Sequence, residues 1–309
     1  MTPATKEVIR TRVLSALHDK RGTTFSFISH FLRAEWQAVA DGSLVQTLRG
    51  GPHCEDAEGR ICLHALCVMV DSGLATVCRL GAGPNARLAT VQLHLQMTGV
   101  SLEGPLALEA TFDGCAGGSA LRQSFAGGIV RSAGGETVAR VRATFVTLPP
   151  LAGTKLEAFP WEHNSPPNPP LSEAVLDPDE RAILNDCDRA LASCGDGRPF
   201  LEHFLNMIPR EHEGGSHCQV AIRPALGNRV GHVQGGLLLA LGASTANAAA
   251  LAYPGLSSVS AFFMSPGRGE SLEARSEAMH RGRSLTTIRT QVRAPGRALL
   301  LDVVSSHAA

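Results

Sequence analysis

One nine-residue loop and the helix predicted after it carry the residue types best suited to chemistry. The loop reads Asn-Arg-Val-Gly-His-Val-Gln-Gly-Gly from Asn228 to Gly236, and a nearly all-apolar run follows from Leu237 to Ala252. A loop that ends in a glycine pair at the start of a helix leaves free backbone N–H groups in front of that helix. This layout predicts a site that holds a polarised oxygen.

The same layout occurs earlier in the chain with different residues. The segment from Gly59 to Ala65 leads into an apolar run from Leu66 to Leu80. The glycine pair is missing there, but a carboxylate, Asp71, lies inside the apolar run. An apolar environment raises the pKa of a carboxyl group, so Asp71 is suited to take a proton from water or to attack a carbonyl directly. Each half therefore holds a chemical group that the other half lacks.

The composition is that of an ordinary globular protein. Hydrophobic residues make up 44% of the 309 residues, charged residues make up 18%, and 28 Lys and Arg balance 28 Asp and Glu. The basic residues are scattered, so we expect neither a nucleic acid nor a membrane surface as a partner. The sequence has no Cys-x-x-Cys pair and no secretory signal, which predicts free cysteines in a reducing, cytoplasmic setting.

The apolar run after Gly235 is long enough to raise the question of a membrane span. It contains Ser244, Thr245 and Asn247, and its counterpart in the first half contains charged residues. A bilayer penalises such side chains. We therefore expect both runs to form buried central helices.

A proline-rich stretch divides the chain. Residues 149–170 include seven prolines in 22 positions, too many for a helix or a central strand. After it, Asp177 is an N-cap with Pro178 at the first helical position, which predicts a helix of roughly fifteen residues. An amphipathic segment over residues 5–20 is its predicted counterpart. We therefore place an N-terminal unit at residues 1–148, a linker at 149–176 and a C-terminal unit at 177–309.

The two halves repeat one order of elements. In each half a strand leads into the loop and the apolar helix, and four alternating strands follow. Gly59 corresponds to Gly231, and Asp71 to Ala243, at a constant offset of 172 residues. The strands are predicted at 44–48, 89–97, 106–112, 122–131 and 137–148, and again at 216–222, 257–264, 272–279, 284–293 and 298–305. The chain is therefore predicted to duplicate one α+β unit, an antiparallel sheet wrapped around a long apolar helix.

A sheet curled around one apolar helix is the hotdog fold, and the second loop resembles that of hotdog acyl-CoA thioesterases of the phenylacetate-pathway type. Their motif reads Asn-x-x-Gly-x-x-His-Gly-Gly, and an apolar helix follows with an acidic residue nine positions after the His. The second half matches this motif at Asn228, Gly231, Gly235 and Gly236. Gln234 takes the place of the His, and Ala243 takes the place of the acid.

The first half matches the same motif at complementary positions. Gly59 and Asp71 agree with it, but Asp56 replaces the Asn and Leu63-His64 replace the glycine pair. The family also places a Ser or Thr at the start of the strand after the helix, and Thr90 occupies that place here. The resemblance covers roughly residues 20–148 and 195–306 through these motif residues.

The resemblance implies an active site between two hotdog units. In the family, one unit supplies the Asn and the helix-terminal Gly, and the other supplies the acid and the hydroxyl. Two catalytic pairs would then face each other, Asp71 with Thr90 and Asn228 with Gly235, and the substrate-binding residues would be Gln234 and Gly236. The opposite pairing would join Asp56, Cys62 and Leu63 to Ala243 and the serines near 257, without an oxyanion glycine or a carboxylate. The resemblance also implies an intramolecular pseudo-dimer that pairs again into a homo-oligomer, a dimer of double-hotdog chains.

These residues favour a hydrolase that cleaves an acyl thioester of CoA or a similar carrier, with no cofactor and no metal ion. The Gly235 N–H would stabilise the oxyanion, Asn228 would add a side-chain donor, and Thr90 would orient water. A hotdog hydratase or dehydratase is a weaker alternative, because neither half shows the Asp-x-Asn-Pro-x-His type of loop. A non-catalytic acyl-thioester-binding protein stays open, because one site is eroded and Gln234 replaces a histidine.

Each candidate also has a purely structural explanation. Asp71 could be satisfied by a backbone group or by Arg79, and the glycine pair could serve only close packing. Thr90 could be an ordinary β-branched strand residue, and we expect His64 to be a core or rim histidine. A metal site is not expected, because no second cluster matches the one candidate group, His212, His217 and Cys218.

Overall fold

The computed structural model describes residues 1–23, 25–39, 42–83, 86–117, 122–148, 159–163, 166–228, 230–294, 296 and 299–309. The helices are α1 (Pro3–Arg21), α2 (Phe27–Leu32), α3 (Leu63–Ala82), α4 (Pro178–Ser193), α5 (Phe200–Leu205) and α6 (Gly235–Ala249). The strands of the first half are β1 (Glu35–Val39), β2 (Ser43–Leu48), β3 (Arg87–Met97), β4 (Leu106–Ala116), β5 (Arg122–Arg131) and β6 (Thr137–Leu148). Those of the second half are β7 (Arg210–His212), β8 (Gly215–Ala221), β9 (Gly255–Phe263), β10 (Ser271–Arg281), β11 (Leu285–Arg293) and β12 (Leu299–Ala308). Single 3-10 turns lie at Pro160–His163, Glu173–Val175 and Pro224–Leu226.

All twelve strands form one antiparallel sheet, in the order β1-β2-β4-β5-β6-β3-β9-β12-β11-β10-β8-β7. The second half repeats the order of the first half in reverse, so the two halves are related by a pseudo-twofold axis. Helix α3 packs against strands β2 to β6, α6 packs against β7 to β12, and the two helices also contact each other. The predicted fold is therefore confirmed: two hotdog units form an intramolecular pseudo-dimer with both central helices on one continuous sheet.

The two units join through β3 and β9. Residue His94 pairs with Ser260 at the centre of this join, and the His94 Nδ1 lies 2.8 Å from the Ser260 Oγ. On either side, Leu93 pairs with Ala261 and Leu95 pairs with Val259, and all four side chains are buried. Because the ladder is continuous across this join, the two units are held in a fixed register, which fixes the position of α3 relative to α6.

The central helices are buried, as predicted. Among the described residues, one helix, Leu63–Ala82, is long and apolar enough to cross a membrane, and 72% of its apolar window is buried inside the protein. Its counterpart Gly235–Ala249 is shorter, and its residues from Gly236 to Ala246 are all buried. Apolar faces on all sides are typical of a helix at the centre of a core.

The helices predicted near residues 5–20 and after Asp177 are also present. Asp177 and Glu180 form a capping box at the start of α4, with Pro178 at the first position. Helices α1 and α4 pack against each other, and the Arg10 guanidinium binds Asp188 at 2.9 Å. The boundaries of the linker and of the two units stay a prediction, since residues 149–158 and 164–165 lie outside the described residues.

Four short elements were missed by the sequence analysis. Helices α2 and α5 have six residues each, and strands β1 and β7 have five and three. The two helices meet through a buried cluster of aromatic rings, in which neighbouring ring centroids lie 5.4 to 6.0 Å apart: Phe27, Phe31, Phe200 and Phe204. Single turns and edge strands are too short to show a period of 3.6 or 2, so pattern alone does not reveal them.

Candidate active site

The loop that enters α6 is held by the side chain and backbone of one residue. The Asn228 Oδ1 accepts hydrogen bonds from the backbone N–H groups of Val230 (3.0 Å) and His232 (3.1 Å). The Asn228 N–H donates to the His232 carbonyl at 2.6 Å. Gly231 has φ +73°, a left-handed conformation that glycine adopts without steric cost. The loop is therefore a closed turn that delivers Gln234 to the start of the helix.

Gln234 is the N-cap of α6 and is buried. Its side-chain Oε1 accepts the Leu237 N–H at 2.9 Å, which satisfies one of the free donors of the first turn. Its Nε2 donates to the Oδ2 of Asp71 at 3.0 Å. One amide side chain thus caps the helix of the second unit and binds the carboxylate of the first.

The Asp71 carboxylate lies at the centre of the site and is only 6% exposed. Its Oδ2 accepts from the Gln234 Nε2 and, at 2.9 Å, from the backbone N–H of Gly236. Its Oδ1 accepts one hydrogen bond, from the Thr90 Oγ1 at 2.9 Å. The Oδ1 therefore has more free acceptor capacity than the Oδ2, and it is the oxygen better placed to receive a proton or to attack.

Burial raises the pKa of Asp71 to about 6, although the hydrogen bonds from Thr90 and Gly236 lower it. The sequence predicted this direction from the apolar helix, and the structure confirms it. With a pKa near 6, most Asp71 carboxylates are ionised at neutral pH. This pKa is also close enough to neutral pH for the group to take up a proton during a reaction.

The glycine pair permits close contact between the central helices. A Cβ atom on Gly235 would lie 2.9 Å from the Asp71 Oδ2, and one on Gly236 would lie 2.6 Å from the Cα of Val68. Among the described residues, no acceptor takes the backbone N–H of Gly235. The pair therefore serves packing and also leaves one donor available beside the carboxylate.

The structure brings five of the six predicted site residues into direct or adjacent contact: Asp71, Thr90, Gln234, Gly235 and Gly236. They come from both units, Asp71 on α3 and Thr90 on β3 in the first, the others at the start of α6. The donors of Gln234 and Gly236, predicted to bind substrate, are used on Asp71, so these two residues position the carboxylate. Sequence reasoning missed this positioning role, although the N-cap place of Gln234 was the available signal. Asn228 uses its Oδ1 within the loop, and its role as a donor to substrate stays a prediction.

His64 lies outside this group of contacts. It is buried near the start of α3, and burial lowers its pKa to about 4. Neither ring nitrogen has a hydrogen-bond partner in the described part of the chain. His64 is therefore a neutral core histidine, the structural alternative of the sequence analysis.

The opposite pairing of the two halves lacks the chemistry of this site. Position 243 is a buried alanine, and the N-cap of α3 is Cys62, whose thiol pKa is raised to about 12 by burial. Strands β3 and β9 each contain a bulge at the equivalent place, where one residue has no partner on the neighbouring strand. The unpaired residue is Val91 in β3 and Ser257 in β9. This register makes Leu256 the counterpart of Thr90, so the positions equivalent to Asp71 and Thr90 hold neither a carboxylate nor a hydroxyl.

Comparisons with known proteins agree with this architecture. Residues 224–308 match a family described as the acyl-CoA thioesterase N-terminal domain. The 12:0-ACP thioesterase of Umbellularia californica is 10% identical with a TM-score of 0.54, over 87% of this chain and 95% of that one. The tesB protein of Mycobacterium avium subs paratuberculosis is 13% identical with a TM-score of 0.50, over 89% and 96%.

A protein of Alicyclobacillus acidocaldarius described as having a hot dog fold is 8% identical with a TM-score of 0.51, over 89% of this chain and 96% of that one. No curated protein sequence matches the chain. At these identities the likeness shows the fold, and the matched domain lies in the second unit. The chain is thus a double-hotdog protein with the fold of acyl-thioester hydrolases, and its second unit matches an acyl-CoA thioesterase domain.

Proposed function

We propose that the protein hydrolyses an acyl thioester of CoA or of a similar carrier, at one composite site between its two hotdog units. The observation that carries this proposal is the contact between the Asp71 carboxylate of the first unit and the start of α6 in the second. Beside that contact lies the N–H of Gly235, a donor without an acceptor among the described residues. A carboxylate next to a free helix-terminal donor is the pair of groups that acyl transfer needs.

The proposed reaction uses each group once. The thioester carbonyl oxygen accepts the Gly235 N–H, and the Asp71 Oδ1 removes a proton from a water molecule that Thr90 helps to orient. The new hydroxide attacks the carbonyl carbon, and the negative charge on the oxygen is stabilised by the helix-terminal N–H, worth about 3 kcal/mol. The C–S bond then breaks, the thiolate takes the proton from Asp71, and a carboxylic acid and a thiol leave.

Direct attack by the Asp71 Oδ1 is the second form of the same proposal. It would give a mixed anhydride between Asp71 and the acyl group and release the thiolate, and water would then hydrolyse the anhydride. A single turnover in ¹⁸O-labelled water and a rapid acid quench, each followed by mass spectrometry, distinguish the two forms. Label in the peptide with Asp71, or a quenched protein heavier by the acyl group, supports the anhydride. Label confined to the acid product, with no acylated protein, supports the water mechanism.

A panel of acyl-CoA thioesters tests the proposal. We expect release of free thiol from at least one of them and loss of that release in Asp71→Asn. Wild-type protein that hydrolyses no thioester, of CoA or of an acyl carrier protein, would contradict the proposal. Water addition to crotonyl-CoA without hydrolysis would point to the hydratase alternative instead.

A non-catalytic acyl-thioester-binding protein is favoured by one specific observation. The Asp71 carboxylate already accepts three hydrogen bonds, from Thr90, Gln234 and Gly236. Such a carboxylate could act only as a clamp between α3 and α6. In that case Asp71→Asn would leave binding of a non-hydrolysable acyl-CoA analogue unchanged, and the wild-type protein would bind the analogue without hydrolysing any thioester.

We further propose a thioesterase of the phenylacetate-pathway type, in a cytoplasmic protein that forms a homodimer of double-hotdog chains. The support for the type is the loop from Asn228 to Gly236, followed across the unit boundary by Asp71. All eight cysteines are free thiols in the structure, in line with a reducing compartment. Light scattering at several concentrations tests the dimer, and a mass of one chain throughout would contradict it.

A further inference from the structure

The two loops that lead into α3 and α6, called here the helix-entry loops, are held by equivalent backbone hydrogen bonds. Their side chains carry opposite charges. The Ile61 N–H donates to the Leu102 carbonyl at 2.9 Å in the first unit, and the Val233 N–H donates to the Gly267 carbonyl at 3.0 Å in the second. These bonds tie each loop to the connection that follows the first strand after its helix. They make Arg60 the counterpart of His232, and Glu103 the counterpart of Arg268.

Acidic side chains neutralise the loop of the first unit. The Arg60 guanidinium binds Asp56 at 2.8 Å and Glu58 at 2.9 Å, and Arg60 also forms a backbone bridge with Glu103. The loop and the connection bonded to it thus carry more acidic than basic side chains, with Glu55 next to Asp56 in the sequence. This end of the molecule would repel an anion.

Basic side chains meet at the loop of the second unit, beside the candidate active site. The Arg268 Nε donates to the Nε2 of His232, so this imidazole is neutral and accepts at that nitrogen. The pKa of His232 is lowered, chiefly by burial and further by the positive charges of Arg268 and Arg87. We call these three residues the basic cluster.

The basic cluster is open to a ligand. Within the described ranges, no carboxylate lies within ion-pair distance of Arg87 or Arg268, whereas ten other arginines form ion pairs with acidic side chains. Arg268 is exposed, and Arg87 and His232 are half-buried. Two uncompensated guanidinium groups beside an imidazole form a set of donors that suits a phosphate.

The position of the basic cluster fits the far end of a thioester carrier. Arg87 precedes Thr90 by three residues on β3, about 10 Å along an extended strand. His232 precedes the helix cap Gln234 by two residues. A pantetheine arm separates the thioester sulfur from the carrier phosphates, so a phosphate must lie apart from Asp71, near the outside of the same site.

We propose that the basic cluster of Arg87, His232 and Arg268 binds a phosphate group of the thioester carrier and thereby selects phosphorylated thioesters over small ones. This inference rests on the proposed function, and it assigns carrier recognition to the loop that leads into α6, with Arg87 contributed by β3 of the first unit. The phosphate could be that of the pantetheine arm, which CoA shares with carrier proteins, or one of the nucleotide phosphates that only CoA has. Both are anionic groups whose oxygens a guanidinium fork binds through paired hydrogen bonds.

Calorimetry with two probes tests the basic cluster directly. Adenosine 3′,5′-bisphosphate carries nucleotide phosphates, and 4′-phosphopantetheine carries the shared phosphate. We expect Arg268→Gln and Arg87→Gln each to weaken binding of one of these probes by about tenfold or more, because each removes a charge-assisted hydrogen bond. The probe that responds identifies the phosphate. The matched control is Glu103→Gln in the first unit, which should change binding less than twofold.

Kinetics separate this proposal from the proposed function. Hydrolysis of an acyl-CoA should fall in Arg268→Gln mainly through a higher KM, and hydrolysis of the same acyl group on N-acetylcysteamine, which has no phosphate, should stay unchanged. Equal losses on both thioesters would overturn carrier recognition by the cluster, as would unchanged binding of both probes in both arginine variants. If the wild-type protein hydrolyses no thioester but Arg268→Gln still loses probe binding, the proposed reaction fails and the phosphate site stands.

Discussion

The two helix-entry loops share one backbone and differ in chemistry. In the first unit the Asp56 Oδ1 accepts the N–H groups of Glu58 and Arg60, at 3.0 and 2.9 Å. In the second unit the Asn228 Oδ1 accepts the N–H groups two and four positions on, at 3.0 and 3.1 Å. The turn is therefore kept in the unit that has lost its glycine pair. It follows that the Asn of the motif has a structural task of its own, and that its presence alone does not indicate a catalytic site.

The residues that differ between the units are coupled to each other. A carboxylate at position 71 needs the Gly236 N–H as a donor and leaves no room for a Cβ on Gly235, which would lie 2.9 Å from it. In the opposite pairing, Ala243 takes the place of the carboxylate, and Leu63 and His64 take the place of the glycine pair. A carboxylate and a glycine pair are thus retained together or lost together. This coupling explains why the chain has one candidate site and not two partial ones.

The largest expected effect tests whether Asp71 is the group that distinguishes the retained site. Asp71→Asn keeps the shape, and its amide oxygen can still accept from Gln234 and Gly236 while its NH₂ group donates to Thr90. We expect kcat to fall about 10²–10⁴-fold with little change in KM, because a proton acceptor is lost without loss of a binding contact. Steady-state kinetics on the best acyl-CoA measure this, and a kcat within threefold of wild type would show that Asp71 is only a clamp.

The same variant has a second expected outcome, in stability. The folded-state pKa of Asp71, about 6, lies above the ordinary value of 3.8, so the native state binds a proton that the unfolded state releases as pH rises. The ionised carboxylate therefore lowers stability at pH 7 by up to about 3 kcal/mol, and this loss disappears below pH 4. Asp71→Asn should leave the free energy of unfolding at pH 7 equal or higher. A clearly lower free energy of unfolding for this variant, measured by urea denaturation, would contradict the assigned burial of Asp71.

The next prediction concerns the close contact between α3 and α6 at Gly236, which distinguishes the retained site from the eroded one. Gly236→Ala would place a Cβ 2.6 Å from the Val68 Cα and 2.7 Å from the Cys67 carbonyl, both backbone atoms. We expect the free energy of unfolding to fall by about 3 kcal/mol, because α3 and α6 must move apart. The control is Gly227→Ala, whose nearest contact would be 3.4 Å. Equal stability of the two variants would mean that the helices adjust freely.

The duplication explains how much the sequence could predict. Central helices and long strands were predicted because their periods repeat in both halves, and each half checks the other. The counterpart of Thr90 was not, because the serines near 257 lie at the start of the strand after the second helix, whereas the bulge in β9 makes Leu256 the equivalent residue. A bulge shifts the register by one residue without a fixed sequence signal. The binding of Gln234 and Gly236 to Asp71 was also missed, because contacts across two units depend on how the sheet halves join.

A smaller effect concerns the hydroxyl that only the retained site has. Thr90→Val removes the single donor to the Asp71 Oδ1 and should raise the pKa of Asp71 by about one unit, since hydrogen bonds to a charged group contribute roughly 1.5–3 kcal/mol. Activity depends on the ionised form, so the acidic limb of the pH-rate profile should move from about 6 to higher pH. Thr90→Ser is the control and should keep the wild-type limb. An unmoved limb in Thr90→Val would show that Thr90 does not act through Asp71.

The smallest effect is expected at Gln234, where the chain departs from the family motif at its retained site. Its side chain accepts from the Leu237 N–H and donates to the Asp71 Oδ2. A neutral imidazole can do both, because one ring nitrogen accepts while the other donates. Gln234→His should therefore keep activity within about tenfold, and it should add a titrating group that the wild type lacks, since an amide does not ionise near neutral pH.

The pH-rate profiles of the wild type and of Gln234→His test whether position 234 adds a titrating group. The wild type should show a single acidic limb, from Asp71, and no limb from position 234. Gln234→Leu is the matched control, because it removes both the helix cap and the donor to Asp71 and should lose more activity than Gln234→His. Complete inactivity of Gln234→His would mean that the amide contacts the substrate itself, as the motif alone suggested, and that holding Asp71 in place is not its main role.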